Sequence, residues 1–180
     1  MALKPTIYKF RISLSDLNTN HYDSLSLTVA QHPSENNQRM LARVLAYCLN
    51  SQHSLKFTKG LSTTEQPDMW SHSLDDIILL WIDVGEPDVD RIKKASRKAE
   101  QVKVFSFNTK SDLWWEQNQR QIADFANVEV HQFEPGAIEE VAQSLVRGME
   151  MSVMISDESI FIDTDAGSYN LVWKKLQCYE

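Results

Sequence analysis

Ile77-Ile78-Leu79-Leu80-Trp81-Ile82-Asp83-Val84 is the stretch on which the fold turns. Eight residues are too few for a helical stripe, and apolar side chains fall on both faces, as expected of a central strand covered on both sides. Gly85 and Pro87 end it. Pro87 suits the first position of a helix, with Asp88 and Asp90 complementing its positive end. That helix carries Val89, Ile92, Ala95, Ser96 and Ala99 on one face, and residues 102–107 follow as another strand. Residues 77–107 therefore read as a β-α-β unit with parallel strands and a right-handed crossover.

On the N-terminal side, residues 6–14 and 22–29 alternate apolar with polar side chains and predict two half-buried strands paired antiparallel. Ser34, preceded by Pro33 and followed by Glu35 in the first turn, is expected to cap a helix whose stripe is Leu41, Val44, Leu45, Cys48 and Leu49. A short strand is expected over residues 55–61. Downstream, Ser111 is expected to cap a helix running to about Ala126, followed by a strand over 128–133 and a helix over about 137–147. Residues 152–156, 160–164 and 169–174 read as short antiparallel strands joined by turns. No repeat or linker divides the chain. One α/β domain over residues 1–180 is expected: a mixed central sheet flanked by helices, with an N-terminal hairpin and C-terminal antiparallel strands.

Composition narrows the function classes. A chain of 180 residues, 42% hydrophobic and 24% charged, is that of an ordinary soluble domain. No apolar run approaches the roughly 20 residues that span a bilayer, and the N-terminus lacks the hydrophobic segment of a signal peptide. Cys48 and Cys178 lie far apart, in keeping with reduced thiols in a cytoplasmic protein. A net charge of −7 argues against a general nucleic-acid binder but allows a local basic patch. The five histidines show no zinc-site spacing, and no glycine-rich phosphate loop or nucleophile elbow is present. Trp114-Trp115 has the chemistry to stack bases. Adjacent helical residues face different ways, however, so one belongs in the core and the other is half-exposed.

Chemistry concentrates between Glu65 and Lys94. An ionised Asp83 near the end of the most apolar strand needs compensation, either from a ligand site or from a neighbouring Lys or Arg at an exposed strand end. Glu65, Asp68, Asp75, Asp76 and Glu86 surround it in sequence, and carboxylate oxygens suit Mg²⁺. On one straight strand Asp76 and Asp83 would stand more than about 20 Å apart, so a second ligand has to come from another segment, Asp68 or Glu65. Lys93 borders the apolar face of its helix, whereas Lys94 points nearly opposite. With Arg91, Arg97 and Lys98 they form either a solvated basic face or a phosphate-attracting patch.

Several ordered motifs resemble the YaeQ family over nearly the whole chain. They are His32-Pro33-Ser34-Glu35, Leu55-Lys56-Phe57-Thr58-Lys59-Gly60-Leu61, Pro67-Asp68-Met69-Trp70, Trp81-Ile82-Asp83-Val84-Gly85-Glu86-Pro87-Asp88 and Arg91-Ile92-Lys93-Lys94-Ala95. The likeness runs from Met1-Ala2-Leu3-Lys4 through Trp114-Trp115 to Arg147-Gly148-Met149. That family is regarded as a compact relative of the PD-(D/E)xK nucleases. The resemblance implies a restriction-endonuclease-like core and a Mg²⁺-dependent phosphodiesterase acting on DNA or RNA. Asp68 and Asp83 would then hold the ion, with Glu35 and Glu86 as further ligands and Lys93 or Lys94 beside the attacked phosphate. Gly85 occupies the position where the motif has lysine. The alternative is a nuclease-like module without turnover that binds nucleic acid or protein, which the charge of −7 and the displaced lysine favour. A third reading, an oligomeric scaffold, requires an exposed apolar sheet face.

Overall fold

The computed structural model describes residues 3–59 and 63–179. Among the described residues, ten strands form one mixed sheet in the order β2-β1-β8-β9-β10-β7-β6-β5-β4-β3. β1 (Thr6–Asp16) and β2 (His21–Gln31) are the expected antiparallel hairpin. β5 (Ile78–Val84) and β6 (Ala99–Ser106) run parallel across α2 (Val89–Lys98), as the reading of residues 77–107 requires. β7 (Val128–Phe133) lies parallel to β6. β8 (Gly148–Ser156), β9 (Ser159–Thr164) and β10 (Gly167–Gln177) form the antiparallel meander. Two junctions unite the halves: β10 pairs antiparallel with β7, and β8 pairs parallel with β1.

Two apolar layers result from the alternation along β5. Leu80, Ile82 and Val84 face the main core with α1 (Asn37–Leu49), α4 (Pro135–Ala142) and the inward residues of the hairpin and meander. Trp81 faces a second core with Ile92 and Ala95 of α2, and Trp114 and Ile122 of α3 (Ser111–Ile122). Trp114 is buried and Trp115 only partly so, the division expected of neighbours on a helix.

Several boundaries differ from the sequence expectation, each for a local reason. α1 is capped by Asn36, whose Oδ1 accepts from the Arg39 N–H at 2.9 Å. The Ser34 hydroxyl is engaged instead with His32 Nδ1, so Glu35 precedes the helix rather than sitting in its first turn. α2 is capped by Asp88, not begun at Pro87, with Asp88 Oδ1 accepting from the Arg91 N–H. Ser111 is the first residue of α3 rather than its cap, because its hydroxyl donates to Glu86. α3 stops at Ile122, and α4 occupies 135–142 rather than about 137–147. Of the strand expected over 55–61, β3 (Lys56–Phe57) forms, and residues 60–62 lie outside the described residues. β4 (Met69–His72) is too short for periodicity to reveal. Cys48 and Cys178 are free thiols, and no helix among the described residues is long and apolar enough to cross a membrane.

Candidate functional site

Pairing of β4 with β5 sets Met69 beside Ile82, which carries Asp68 and Asp83 to the same end of the sheet. Both acids are buried, at 4% and 2% exposure. They line one open cleft of about 430 Å³ together with Arg39, Gly85, Glu86 and Arg91. Gly85 allows the chain to turn there: its φ is +121°, a conformation that side chains rarely adopt. A lysine at this position, where the nuclease motif has one, would strain the backbone.

Each carboxylate is held by an arginine from a different helix. Asp68 Oδ1 accepts from Arg39 Nη2 of α1 at 2.6 Å, and its Oδ2 accepts from the Val84 backbone N–H at 2.8 Å. Asp83 receives a two-point clamp from Arg91 of α2, Nε to Oδ2 at 3.0 Å and Nη2 to Oδ1 at 2.9 Å. The same guanidinium donates to the carbonyls of Thr64 and Gln66, so it pins the loop before β4 as well. Such bidentate pairs combine charge with planar geometry.

The two further acids are equally engaged. Glu35, 7% exposed, accepts from Arg39 Nη1 at 2.6 Å and from Arg43 Nε and Nη2 at 2.9 and 2.5 Å. Glu86 accepts from the Phe107 and Asn108 backbone N–H groups, the Asn108 side-chain amide and the Ser111 hydroxyl. Glu86 therefore ties the end of β5 to the start of α3.

Burial pushes the Asp83 carboxyl above the ordinary aspartate range; the Arg91 bonds and charge oppose this, and the Asp68 charge adds to the rise. That mutual influence means that the two acids feel each other across the cleft. Burial works against the charge on Arg39, but Asp68 and Glu35 outweigh it and raise its pKa.

Of the residues singled out in the sequence, Asp68, Asp83 and Glu86 converge on the cleft, and Glu35 stands behind Arg39. Lys93 and Lys94 do not join them: both are exposed on α2 and neither lines the cleft. Glu65 is exposed and pairs with Lys98 at 3.0 Å. Asp75 and Asp76 lie exposed in the turn before β5. The cations that pair with these acids are Arg39, Arg43 and Arg91, which the spacing did not reveal for the first two. Arg91 was visible in sequence, in the first turn of the helix that follows the strand carrying Asp83.

A divalent ion requires carboxylate oxygens open to it. Here those of Asp68 and Asp83 are directed at guanidinium and amide donors. Among the described residues no group of three or more His, Cys, Asp or Glu side chains is placed to hold a metal ion. In this arrangement the donor set fits arginine, and an ion at Asp68 and Asp83 would need Arg39 and Arg91 to withdraw.

The family description "YaeQ protein" matches residues 1–173. The chain belongs to the YaeQ family. The YaeQ proteins of Salmonella typhi and Escherichia coli (strain K12) are each 38% identical to it, over 163 and 166 residues. These alignments cover 90% and 92% of this chain and the same shares of those proteins. Both bear the description "Uncharacterized protein YaeQ", which names no activity. The crystal structure of YaeQ protein from Xanthomonas axonopodis pv. citri superposes with a TM-score of 0.93 at 31% identity, covering 97% of this chain and 99% of that one. That of Pseudomonas syringae gives 0.91 at 34% identity, covering 97% of each chain. The mixed α+β architecture is thus the one seen in YaeQ crystal structures.

Proposed function

We propose that this chain is a nuclease-like module that binds a nucleic-acid backbone without cutting it. One observation carries the reading: every oxygen of Asp68 and Asp83 is already engaged by Arg39, Arg91 and the Val84 amide. Acids so clamped act as a frame for the strand ends and leave little capacity for an ion. The binding surface in this reading is α2, where Lys93, Lys94, Arg97 and Lys98 are exposed beside the cleft-lining Arg91. Backbone phosphates interact with such a face through charge rather than base identity, which makes the interaction strongly salt-dependent.

Fluorescence anisotropy with labelled DNA and RNA oligonucleotides tests this. The expected result is binding that weakens steeply with salt, a shallower salt slope in Lys93→Gln/Lys94→Gln, and no cleavage with Mg²⁺ or Mn²⁺ beyond an EDTA control. An absence of binding at low salt would defeat the proposal.

The convergence of two buried acids on one cleft favours a second reading, a Mg²⁺-dependent nuclease in a clamped resting state. Asp68 and Asp83 would be the residues that hold the ion, which would supply charge neutralisation at a phosphate and an activated water. Metal-dependent cleavage that disappears in Asp83→Asn would select this reading over the first. Calorimetric Mg²⁺ binding by Arg91→Met but not by Arg91→Met/Asp83→Asn would locate the ion.

A further inference from the structure

A second polar site lies at the other end of α1, where its last turn meets β6 and β7. Leu49 and Asn50, β6, β7, β10 and two hairpin turns enclose a cavity of about 330 Å³. It shares no lining residue with the acidic cleft. The volume is that of a pocket for a small metabolite.

The inner wall is built from strand neighbours. Phe105 of β6 and Lys175 of β10 flank His131 in the ladder. The His131 ring is stacked between Phe105, at 4.6 Å, and Trp173, at 5.2 Å. His131 Nε2 meets Glu129 Oε1 at 2.5 Å, and both residues are buried. Because a carboxylate only accepts, this contact places the imidazole proton on Nε2. His131 Nδ1 and Trp173 Nε1 are buried with no hydrogen-bond partner among the described residues, an uncommon state for polar atoms in a folded protein.

Here the charged groups keep unused capacity. Lys103 Nζ donates to Asn50 Oδ1 at 2.7 Å and stands 3.9 Å from Glu129 Oε1. Lys175 Nζ is also 3.9 Å from that oxygen, beyond hydrogen-bond range, and has no hydrogen bond among the described residues. Glu129 Oε2 likewise has none. Lys174 of β10 lines the pocket as well, so three lysines face this one glutamate and the wall is net positive.

The rim has the opposite sign. Asp16 Oδ1 caps the β1–β2 turn by accepting from the Asn18 and Thr19 N–H groups, while its Oδ2 takes no bond among the described residues. Asn18 locks this turn to the β8–β9 turn through two bonds with the Asp157 backbone, at 2.9 and 2.8 Å. The carboxylates of Asp157 and Glu158 are exposed at the same mouth. The rim is therefore held in place before any ligand arrives.

We infer that this pocket binds a small amino acid. The carboxylate would lie toward Lys103 and Lys175, and the ammonium toward Asp16, Asp157 and Glu158. A plain anion meets the three rim acids, and a plain cation meets the net positive inner wall. A zwitterion answers both. This inference is independent of the acidic cleft and of any binding along α2.

Calorimetric titration of the full chain with glycine, β-alanine, γ-aminobutyrate and ε-aminocaproate tests the assignment and measures the spacing of the two charged ends. Propionate and propylamine serve as single-charge controls. At least one amino acid is expected to bind with a Kd below about 1 mM, more tightly than either control. Lys175→Met, at a half-exposed position that leaves folding intact, is expected to weaken binding about tenfold. Asp157→Asn, at an exposed position, is expected to weaken the amino acid but not propionate. The inference is overturned if no member of the series binds at about 10 mM, if propionate binds as tightly as the best amino acid, or if Lys175→Met leaves the affinity unchanged.

Discussion

The two ends of α1 solve the problem of buried charge in opposite ways. From Arg39 to Asn50 the helix rises about 16 Å, and each end meets a cluster of ionisable side chains. At the Arg39 end, Glu35, Asp68 and Asp83 are matched by Arg39, Arg43 and Arg91 at hydrogen-bond distances of 2.5–3.0 Å. At the Asn50 end, two lysines stand 3.9 Å from the same glutamate oxygen, and neither closes the gap. Guanidinium has a planar fork that a carboxylate completes, whereas ammonium is a point charge that tolerates incomplete pairing. The first cluster is internally satisfied and reads as architecture. The second retains open donors and acceptors, which is what a ligand needs.

The largest effect should come from breaking the satisfied end. Glu35→Ala removes the acceptor shared by Arg39 and Arg43 and leaves a buried guanidinium uncompensated. A loss of about 3–5 kcal/mol is expected in urea denaturation. A loss below about 1 kcal/mol would mean that this cluster is no more structural than the other.

Arg91→Met is expected to cost less, about 1–3 kcal/mol, because the Arg91 side chain is 28% exposed and partly screened. The Asp83→Asn/Arg91→Met double variant should lose less than the sum of the single variants, since the second substitution removes a charge that the first left unpaired. Additivity would show that the clamp does not couple the two residues.

pH separates the ends further. Burial holds the His131 pKa below its ordinary 6.5, against the pull of Glu129. The unfolded chain therefore binds a proton that the folded one resists, and the stability present above 6.5 is lost as pH falls below it. Glu129, held below its ordinary 4.5, adds its own loss only below that value. His131→Phe, which keeps the ring stack, should flatten the pH dependence of the denaturation midpoint just below 6.5. An unchanged slope would place the titrating group elsewhere.

The smallest expected effect on stability is that of Lys93→Gln/Lys94→Gln, within about 0.5 kcal/mol, because both side chains are exposed. Any change in salt-dependent oligonucleotide binding by this variant then reports on the surface of α2 rather than on folding.

Legibility in the sequence followed the range of the interactions. Residues 77–107 could be read because an apolar run, a helix N-terminus and a second apolar run are local signals, and β5, α2 and β6 form there. Asp83 stood out for being an acid in such a run. Arg39 did not, because nothing near it in sequence signals that it meets Asp68 across the fold. The nuclease pattern favours Lys94 and the helical wheel Lys93, yet the guanidinium that reaches the acid is that of Arg91, whose N–H also donates to the Asp88 cap. The Asn50 pocket has no local signature in the sequence. Glu129 and His131 alternate with Val128 and Val130 along β7, and their significance depends on neighbours supplied by β6 and β10. Ser34 misled because its hydroxyl has a nearer partner in His32.

The parallel junction of β1 with β8 has a consequence for how this protein is made. Lys9 to Asp16 lies alongside Gly148 to Ile155, so a strand synthesised early pairs with one synthesised much later. Translation of the intervening chain takes on the order of ten seconds. Throughout that interval the edge of β1 that β8 will cover is unpaired, and Phe10, Ile12 and Leu14 await much of the core that buries them. Nascent chains stalled before residue 148 should therefore be clients of chaperones, and completion of the C-terminal meander should release them.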